Sequence, residues 1–148
     1  DSWRPTISES LTALEEIVPG VRFRQIGLRY INRIGLPGPT IVMEDYFELY
    51  PRLPARLGSL HGDYLVHLKV PKDPHLVIAS LGSAPSRTPG ENAHVLDIYD
   101  ILAVEGGGLT VTDAEREIAV AHANIEMAFE AAIADKLRAS FEPESGGD

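Results

Sequence analysis

Two arginines four residues apart, Arg29 and Arg33, are the side chains best suited to chemistry in the stretch GLRYINRIGLPGPT. In an extended strand both point to the same side. A guanidinium group can hold a carboxylate or a phosphate through two parallel hydrogen bonds, so the pair predicts an anion-binding feature. Asp97 and Tyr99, on a later predicted strand, belong to the same candidate set. The simpler interpretation is an ion pair between two strands, or a solvated face.

A glycine in the same stretch leaves the membership of this set open. Gly27 lies within a run of alternating residues, and a glycine inside a strand often marks a bulge. A bulge reverses the faces of the residues that follow it, so Tyr30 and Asn32 would then point outward in place of the arginines. The candidate binding residues are Arg29, Arg33, Asp97, Tyr99, Tyr30 and Asn32.

The motifs of common catalytic and metal sites are missing from the sequence. His94, Asp97 and Asp100 are suitable metal ligands, but on a regular strand Asp97 points away from the other two. Asp100 interrupts an apolar alternation and is interpreted as a strand end or a hydrogen-bonded structural carboxylate. His122 is interpreted as a core residue. Because there is also no phosphate loop, dinucleotide fingerprint, nucleophile elbow or zinc spacing, we predict no catalytic residue, metal or cofactor.

The composition limits the classes of partner. The chain has 148 residues, 13 Lys and Arg against 22 Asp and Glu, and a formal charge of -9. This balance repels phosphate backbones, so nucleic acid is a disfavoured partner. The sequence has no long apolar run for a bilayer and no pattern of a signal peptide, so we expect a cytoplasmic protein without membrane contact. Cysteine is absent, which excludes disulfides and thiolate ligands.

Hydrophobic periodicity predicts the elements that position the candidate residues. The expected elements are a helix over 3–18, strands over 22–34, 40–43, 64–70, 75–81 and 93–104, and a long helix from about 112 to 137. We expect this long helix to begin with a capping box of Thr112 and Glu115, and a four-residue connection over 71–74 in the central hairpin.

The predicted fold class is α+β. Short connections favour antiparallel pairing, because a parallel crossover needs a dozen residues or more. We therefore expect a largely antiparallel twisted sheet of four to five strands, with an N-terminal helix and a long C-terminal helix packed on one face. Residues 1–142 form a single domain in this interpretation, and residues 143–148 form a disordered tail.

Four segments carry a more specific pattern: RFRQIGLRYINRI at 22–34, DYFELYPRLP at 45–54, HVLDIYD at 94–100 and AHANIEMAFEAAIADKLR at 121–138. In these segments the chain resembles an uncharacterised protein family that is distributed sporadically among bacteria and archaea. The resemblance covers about residues 3–141, and residues 28–34 are its most specific part. It implies that the chain is the C-terminal portion of a longer protein. It implies no activity, because none is established for the family.

These observations predict a non-catalytic binding or assembly module. Its exposed sheet face would receive a second copy, a protein partner or a preceding segment of the chain. The alternative is a phosphoesterase-like hydrolase for a small anionic molecule, in which Arg29 and Arg33 hold the anion and Asp97 is an acid, a base or a metal ligand. A third possibility is a cavity between the sheet and the long helix that takes an apolar ligand.

Overall fold

Four antiparallel strands and two main helices form the fold in the computed structural model, which describes residues 3–38, 40–58 and 63–141. The elements are α1 (Trp3–Ile17), β1 (Gln25–Pro37), β2 (Leu65–Lys72), β3 (His75–Ala84), β4 (Glu91–Ala103), α2 (Val111–Ala132) and α3 (Asp135–Ala139), with 3-10 turns at Met43–Asp45 and Ala55–Leu57. The strand order is β1-β4-β3-β2. The predicted α+β class is confirmed, and the predicted tail at 143–148 lies outside the described residues.

The core lies between the sheet and α2, which crosses β1, β4 and β3. Its fully buried apolar side chains include Phe47, Leu81, Leu96, Ile98, Ile125 and Ile133. Helix α1 packs against α2, where the Ser8 hydroxyl donates to the Glu115 carboxylate at 2.6 Å and the rings of Trp3 and His122 lie 5.3 Å apart. The helices therefore leave the opposite side of the sheet uncovered among the described residues.

The predicted strand at 40–43 is wrong. Residues 43–45 form a 3-10 turn, and the segment that follows closes the end of α2. The amide groups of Glu48 and Leu49 donate to the carbonyl of Ala132, and the amide of Ala134 donates to the carbonyl of Tyr46. Because these bonds tie the segment to the last residue of α2 and to Ala134, its apolar residues pack against the core edge and add no fifth strand.

The central hairpin is longer than predicted. Lys72 pairs with His75, so the connection is the two-residue turn Asp73-Pro74, with a cis peptide bond, in place of four residues. Pro71 is paired within the ladder, which is tolerated because β2 is an edge strand. The predicted four-residue connection would pair Val70 with His75, and the observed register differs from that pairing by two positions. A shift of two preserves the face of every side chain, so Val66, Leu68 and Val77 lie on the inner face in either register.

The long helix begins and ends earlier than predicted. Its capping box is formed by Thr110 and Asp113: the Asp113 amide donates to the Thr110 hydroxyl at 3.0 Å, and the Thr110 amide donates to the Asp113 carboxylate at 3.3 Å. The sequence TVTDAE contains two overlapping cap patterns, and the first is used. At the other end the backbone is extended at Ile133, and the apolar stripe continues into α3 through the buried Leu137.

Candidate binding face of the sheet

The sheet has an open face, opposite to α2. It is formed by the odd-numbered residues of β1, β4 and β2 and by the even-numbered residues of β3. Its members include Arg29, Ile31, Arg33, Lys69, Leu76, Ile78, Val95, Asp97, Tyr99 and Ile101. Exposure alternates strictly along β1, with the odd positions exposed. Four of the six predicted site residues therefore share one surface: Arg29, Arg33, Asp97 and Tyr99.

Gly27 is not a bulge, so the alternative assignment of faces is wrong. The pairing of β1 with β4 continues without interruption from Gln25 opposite Ala103 to Pro37 opposite Glu91. A methyl group at Gly27 would overlap the hydroxyl and the ring of Tyr99, since the Tyr99 ring lies over the glycine. The glycine thus provides space for an aromatic side chain on the neighbouring strand.

Tyr30 and Asn32 consequently lie on the inner face and do not belong to the same site as Arg29. The Tyr30 ring packs 5.7 Å from the ring of His122 on α2. The Asn32 side-chain amide donates to the carbonyl of Leu96 at 3.3 Å, which ties β1 to its neighbour. Both side chains are half-buried: Tyr30 contacts the helix layer, and Asn32 contacts the neighbouring strand.

Arg29 and Asp97 form a bidentate ion pair on the open face. Arg29 Nε donates to Asp97 Oδ1 at 2.9 Å, and a terminal nitrogen donates to Oδ2 at 2.5 Å. The hydrogen bonds from Arg29 hold the pKa of Asp97 below its usual range. The Arg29 side chain is 55% exposed and the Asp97 side chain 22% exposed, so the pair is accessible to a partner molecule. It joins the edge strand β1 to the central strand β4.

The second arginine is tethered separately. A terminal nitrogen of Arg33 donates to the backbone carbonyl of Pro85, in the connection between β3 and β4. Arg29 already binds a carboxylate in the geometry that an external carboxylate or phosphate would use, and Arg33 already donates to a carbonyl. Neither guanidinium is therefore unoccupied. The geometry favours the interpretation of an ion pair between strands over that of an anion cradle.

Apolar side chains surround this ion pair. Ile31 lies directly opposite Asp97 and is 62% exposed, and Leu65 at the far edge is 72% exposed. Leu76, Ile78, Val95, Tyr99 and Ile101 are partly exposed. Among the strand positions of the open face the charges are Arg29, Arg33 and Lys69 against Glu91 and Asp97, three minus two, or +1. The face is therefore close to neutral in a chain whose formal charge is -9.

The three residues considered as metal ligands do not converge. Asp97 lies on the open face, whereas His94 and Asp100 lie on the inner face. His94 shares a hydrogen bond of 2.7 Å with the hydroxyl of Tyr64, and burial lowers the pKa of His94. The described residues contain no cluster of three or more His, Cys, Asp or Glu side chains suited to a metal ion.

A buried polar network on the inner face was not predicted as a unit. His75 Nδ1 lies 2.5 Å from Asp100 Oδ1, and His75 Nε2 lies 3.1 Å from Glu117 Oε2. Asn124 donates to the second oxygen of Asp100 at 2.9 Å. The interpretation of Asp100 as a hydrogen-bonded structural carboxylate is confirmed. The histidine directly after the hairpin turn, His75, could have been recognised as the partner of Asp100, but only if the pairing register of β3 with β4 were known.

This network raises the pKa of His75. Burial lowers the pKa of His75, but the hydrogen bonds to Asp100 and Glu117, together with their charges, outweigh it, so the pKa lies above the ordinary value of 6.5. Arg116 donates to the other oxygen of Glu117 at 3.2 Å. The network joins β3, β4 and α2, and its polar groups hydrogen-bond to one another within the core, so its evident role is structural.

In the parts of the chain that the structure describes, none of the helices has both the length and the apolar character needed to cross a bilayer. The family resemblance described from the sequence stays a prediction. The chain matches none of the protein-family models, curated proteins or solved structures with which it was compared.

Proposed function

We propose that this protein is a non-catalytic cytoplasmic assembly module whose open face packs against the open face of a second copy. The observation that carries the proposal is the combination of exposed apolar side chains and a paired charge cluster on a sheet face that α1 and α2 leave uncovered. An antiparallel sheet that faces only water usually presents polar side chains at alternate positions. The open face departs from that pattern at its centre.

The apolar residues of the open face occupy the middle of the sheet. Ile78, Val95 and Ile101 belong to the two central strands, and Ile31 lies next to them on β1. The centre also contains the ion pair of Arg29 and Asp97, and further charged groups lie around it: Arg33 and Glu91 toward one end and Lys69 on β2. Apart from that neutralised pair, the face has the apolar centre and polar rim that are usual in a specific protein interface.

The charges favour a second copy of the chain as the occupant. The open face carries both signs, so a two-fold related copy can bring its carboxylates toward the guanidinium groups of the first. The rest of the chain is strongly acidic, whereas this face is not. Two copies therefore repel each other least when they meet through their open faces.

The size of the face is sufficient for a dimer. Four strands spaced about 4.8 Å apart and about ten residues long present a surface of roughly 19 by 33 Å. Pairing two such faces buries on the order of 1,250 Å² in total, at the lower end of the range for specific interfaces. A weak or moderate dimer is the expected result.

The catalytic alternative has weaker support from the geometry. A hydrolase for an anionic substrate would need a free guanidinium beside its acid or base, but Arg29 is occupied by Asp97 in a bidentate pair. An assembly face uses the same pair without breaking it. We therefore assign Arg29, Arg33, Asp97 and Tyr99 to the interface.

The proposal is tested by the molar mass of the protein in solution across micromolar to submillimolar concentrations. Ile31→Glu places a carboxylate beside Asp97 at the centre of the proposed interface. Leu57→Glu is the matched control, because Leu57 is 71% exposed against 62% for Ile31 and lies outside the sheet. Circular dichroism of both variants verifies that the fold is retained.

We expect light scattering after size exclusion to report a dimer for the wild type and for Leu57→Glu, and a monomer for Ile31→Glu. A wild-type protein that is monomeric over the whole concentration range would contradict the proposal. A dimer that survives Ile31→Glu would place the contact elsewhere and would also contradict it.

A further inference from the structure

Strand β1 presents a free edge whose unpaired backbone groups can be identified from its hydrogen bonds. The Val104 amide donates to the Arg24 carbonyl at 2.8 Å, and the Gly38 amide donates to the Gly90 carbonyl at 2.9 Å. These bonds flank the pairs Gln25 with Ala103 and Pro37 with Glu91, which are therefore non-hydrogen-bonded pairs of the antiparallel ladder.

The same alternation holds along the whole strand, because its pairing is continuous. The even-numbered residues of β1 bond to β4, and the odd-numbered residues direct their N–H and C=O groups away from the sheet. These odd residues are Gly27, Arg29, Ile31, Arg33 and Gly35. Within the described residues β1 is the outermost strand, and these groups have no backbone partner. An edge of this kind is a template for one more strand.

A groove of about 660 Å³ runs beside this edge, between β1 and the end of the helical layer. Its walls include Ile34, Phe129, Ile133, Arg138 and Phe141. The rings of Phe129 and Phe141 lie 6.1 Å apart, and Phe141 is 53% exposed. The groove therefore offers aromatic and aliphatic surface close to the row of free backbone groups.

The charged residues on the helical wall of this groove, Glu130 and Arg138, are already paired with one another. Arg138 donates to the carboxylates of Glu130 and Asp135 and to the carbonyl of Glu130. The helical wall of the groove therefore favours apolar side chains of a ligand, and the other cation of the lining, Arg33, belongs to β1 and donates to the carbonyl of Pro85. This differs from the other side of the same edge, where Arg29 and Arg33 lie on the open face.

Successive side chains of an added strand point to opposite sides, so alternate residues face the groove and the open face. The side chains toward the groove meet Phe129 and Phe141, and those toward the open face lie opposite Arg29 and Arg33. Arg29 uses only Nε and one terminal nitrogen for Asp97, which leaves its other terminal nitrogen for a new contact. Opposite charges at facing positions stabilise a strand pair. The complementary ligand alternates acidic and apolar residues.

A second copy of this chain does not fit the edge. Pairing β1 with itself about Ile31 would place Arg29 opposite Arg33, and like charges at facing positions are destabilising. The other edge strand, β2, brings His67 and Lys69 on its open-face side. Neither edge strand of the sheet has an acidic residue to place opposite the arginines.

We propose that the β1 edge and its neighbouring groove form a binding site for an extended peptide that alternates acidic and apolar residues and joins the sheet as a fifth strand. Backbone hydrogen bonds to the odd-numbered residues supply affinity, and the two sets of side-chain contacts supply specificity. The peptide site uses the edge of β1 and the groove, whereas the proposed function uses the face of the sheet. The two share Arg29, Ile31 and Arg33, but peptide anisotropy and the molar mass of the protein report on them separately, so one can fail without the other.

The probe is a fluorescein-labelled nine-residue peptide, Thr-Val-Glu-Phe-Thr-Phe-Glu-Val-Thr, which matches residues 27–35 in length. It is palindromic, so both strand directions present the same side chains. One control replaces both glutamates by lysine, and a second scrambles the order so that the alternation is lost. Fluorescence anisotropy measures the affinity, and amide hydrogen exchange by NMR reports the position of binding.

We expect the acidic peptide to bind, the two controls to bind at least about tenfold more weakly, and the amides of Arg29, Ile31 and Arg33 to exchange more slowly in the complex. Ile31→Pro removes an outward N–H group without touching the bonds to β4. It should weaken binding about tenfold. Phe141→Ala should weaken binding through the groove, and Arg33→Glu should reverse the preference toward the lysine peptide.

Absence of binding up to millimolar peptide would overturn the proposal. Binding that leaves the exchange of the odd-numbered β1 amides unchanged would also overturn it, as would equal affinity for the acidic and lysine peptides. Because Phe141→Ala and Arg33→Glu change exposed side chains, they test the site even if Ile31→Pro fails to fold.

Discussion

Strand β4 carries two aspartates three residues apart, and they lie in opposite surroundings. Asp97 bonds to Arg29 on the open face, with 55% of the arginine side chain exposed. Asp100 bonds to His75 on the inner face, where the His75 and Asp100 side chains are 2% and 0% exposed. Both pairs join neighbouring strands through a carboxylate. They differ in their exposure to solvent and in the number of hydrogen-bond partners of the aspartate.

The comparison separates a stabilising network from a surface feature. A buried ion pair holds its geometry only when every polar group is satisfied, and both oxygens of Asp100 bind partners, His75 and Asn124. An exposed pair contributes little to stability, because water competes for both charges. The pair of Arg29 and Asp97 can therefore contact another molecule with little loss of stability of the fold.

Asp100→Ala has the largest expected effect. It removes the carboxylate that satisfies His75 and Asn124, and it leaves their polar atoms in a site that excludes water. We expect the free energy of unfolding to fall by about 3 kcal/mol or more. Chemical denaturation monitored by circular dichroism measures this change. A loss below about 1 kcal/mol would mean that the network is not the stabilising element described here.

The pH dependence of stability tests the charge of His75. Its pKa is raised in the folded state, so its protonation stabilises the fold fully below the unfolded value of 6.5, and that contribution is lost as the pH rises through the folded pKa. Between these two values the slope approaches about -1.4 kcal/mol per pH unit. The groups that face His75 are Asp100 from β4, Glu117 from α2 and its cross-strand neighbour Lys72 from β2.

The matched variant is His75→Gln, which keeps a hydrogen-bond donor but does not titrate. We expect its stability to differ most from that of the wild type near pH 6, with a smaller difference near pH 9, in denaturation series at constant ionic strength. A difference that grows with rising pH would show that His75 is buried neutral, in contradiction to the charge state assigned to the network.

Asp97→Ala should have the smallest effect on stability. The ion pair with Arg29 is exposed, so we expect the melting temperature to fall by no more than about 4 °C, with the loss reduced in high salt. Thermal unfolding at low and high salt measures it. A loss as large as that of Asp100→Ala would remove the distinction between the two faces.

Alternation in the sequence predicts the four strands of the sheet and, for an unbulged strand, which of its residues share a side. The period of two places Arg29, Arg33 and Asp97 on one face, and the helical stripe places the C-terminal helix on the other. The role of Gly27 could not be decided, because a glycine marks either a bulge or a close approach. The uninterrupted pairing of β1 with β4 and the position of the Tyr99 ring distinguish the two cases.

The rest of the site depends on relations that a single sequence does not contain. The network of His75 and Glu117 requires both the length of the hairpin turn and the rotation of α2 about its axis. The free groups of β1 depend on which ladder pairs are hydrogen-bonded, and residue types do not determine that phase. The segment 40–43 has strand-like composition but pairs with nothing in the described part of the sheet, because packing at the core edge selects the same residue types.

The central claim, that the open face pairs with a second copy, is tested most directly by a single thiol on that face. The chain has no cysteine, so Ser80→Cys introduces one reporter beside Asp97, and Ser10→Cys on the exposed surface of α1 is its control. Labelling of the thiol introduced at position 80 should slow as the protein concentration rises, while labelling at position 10 stays constant. A labelling rate at position 80 that is independent of concentration would contradict the account.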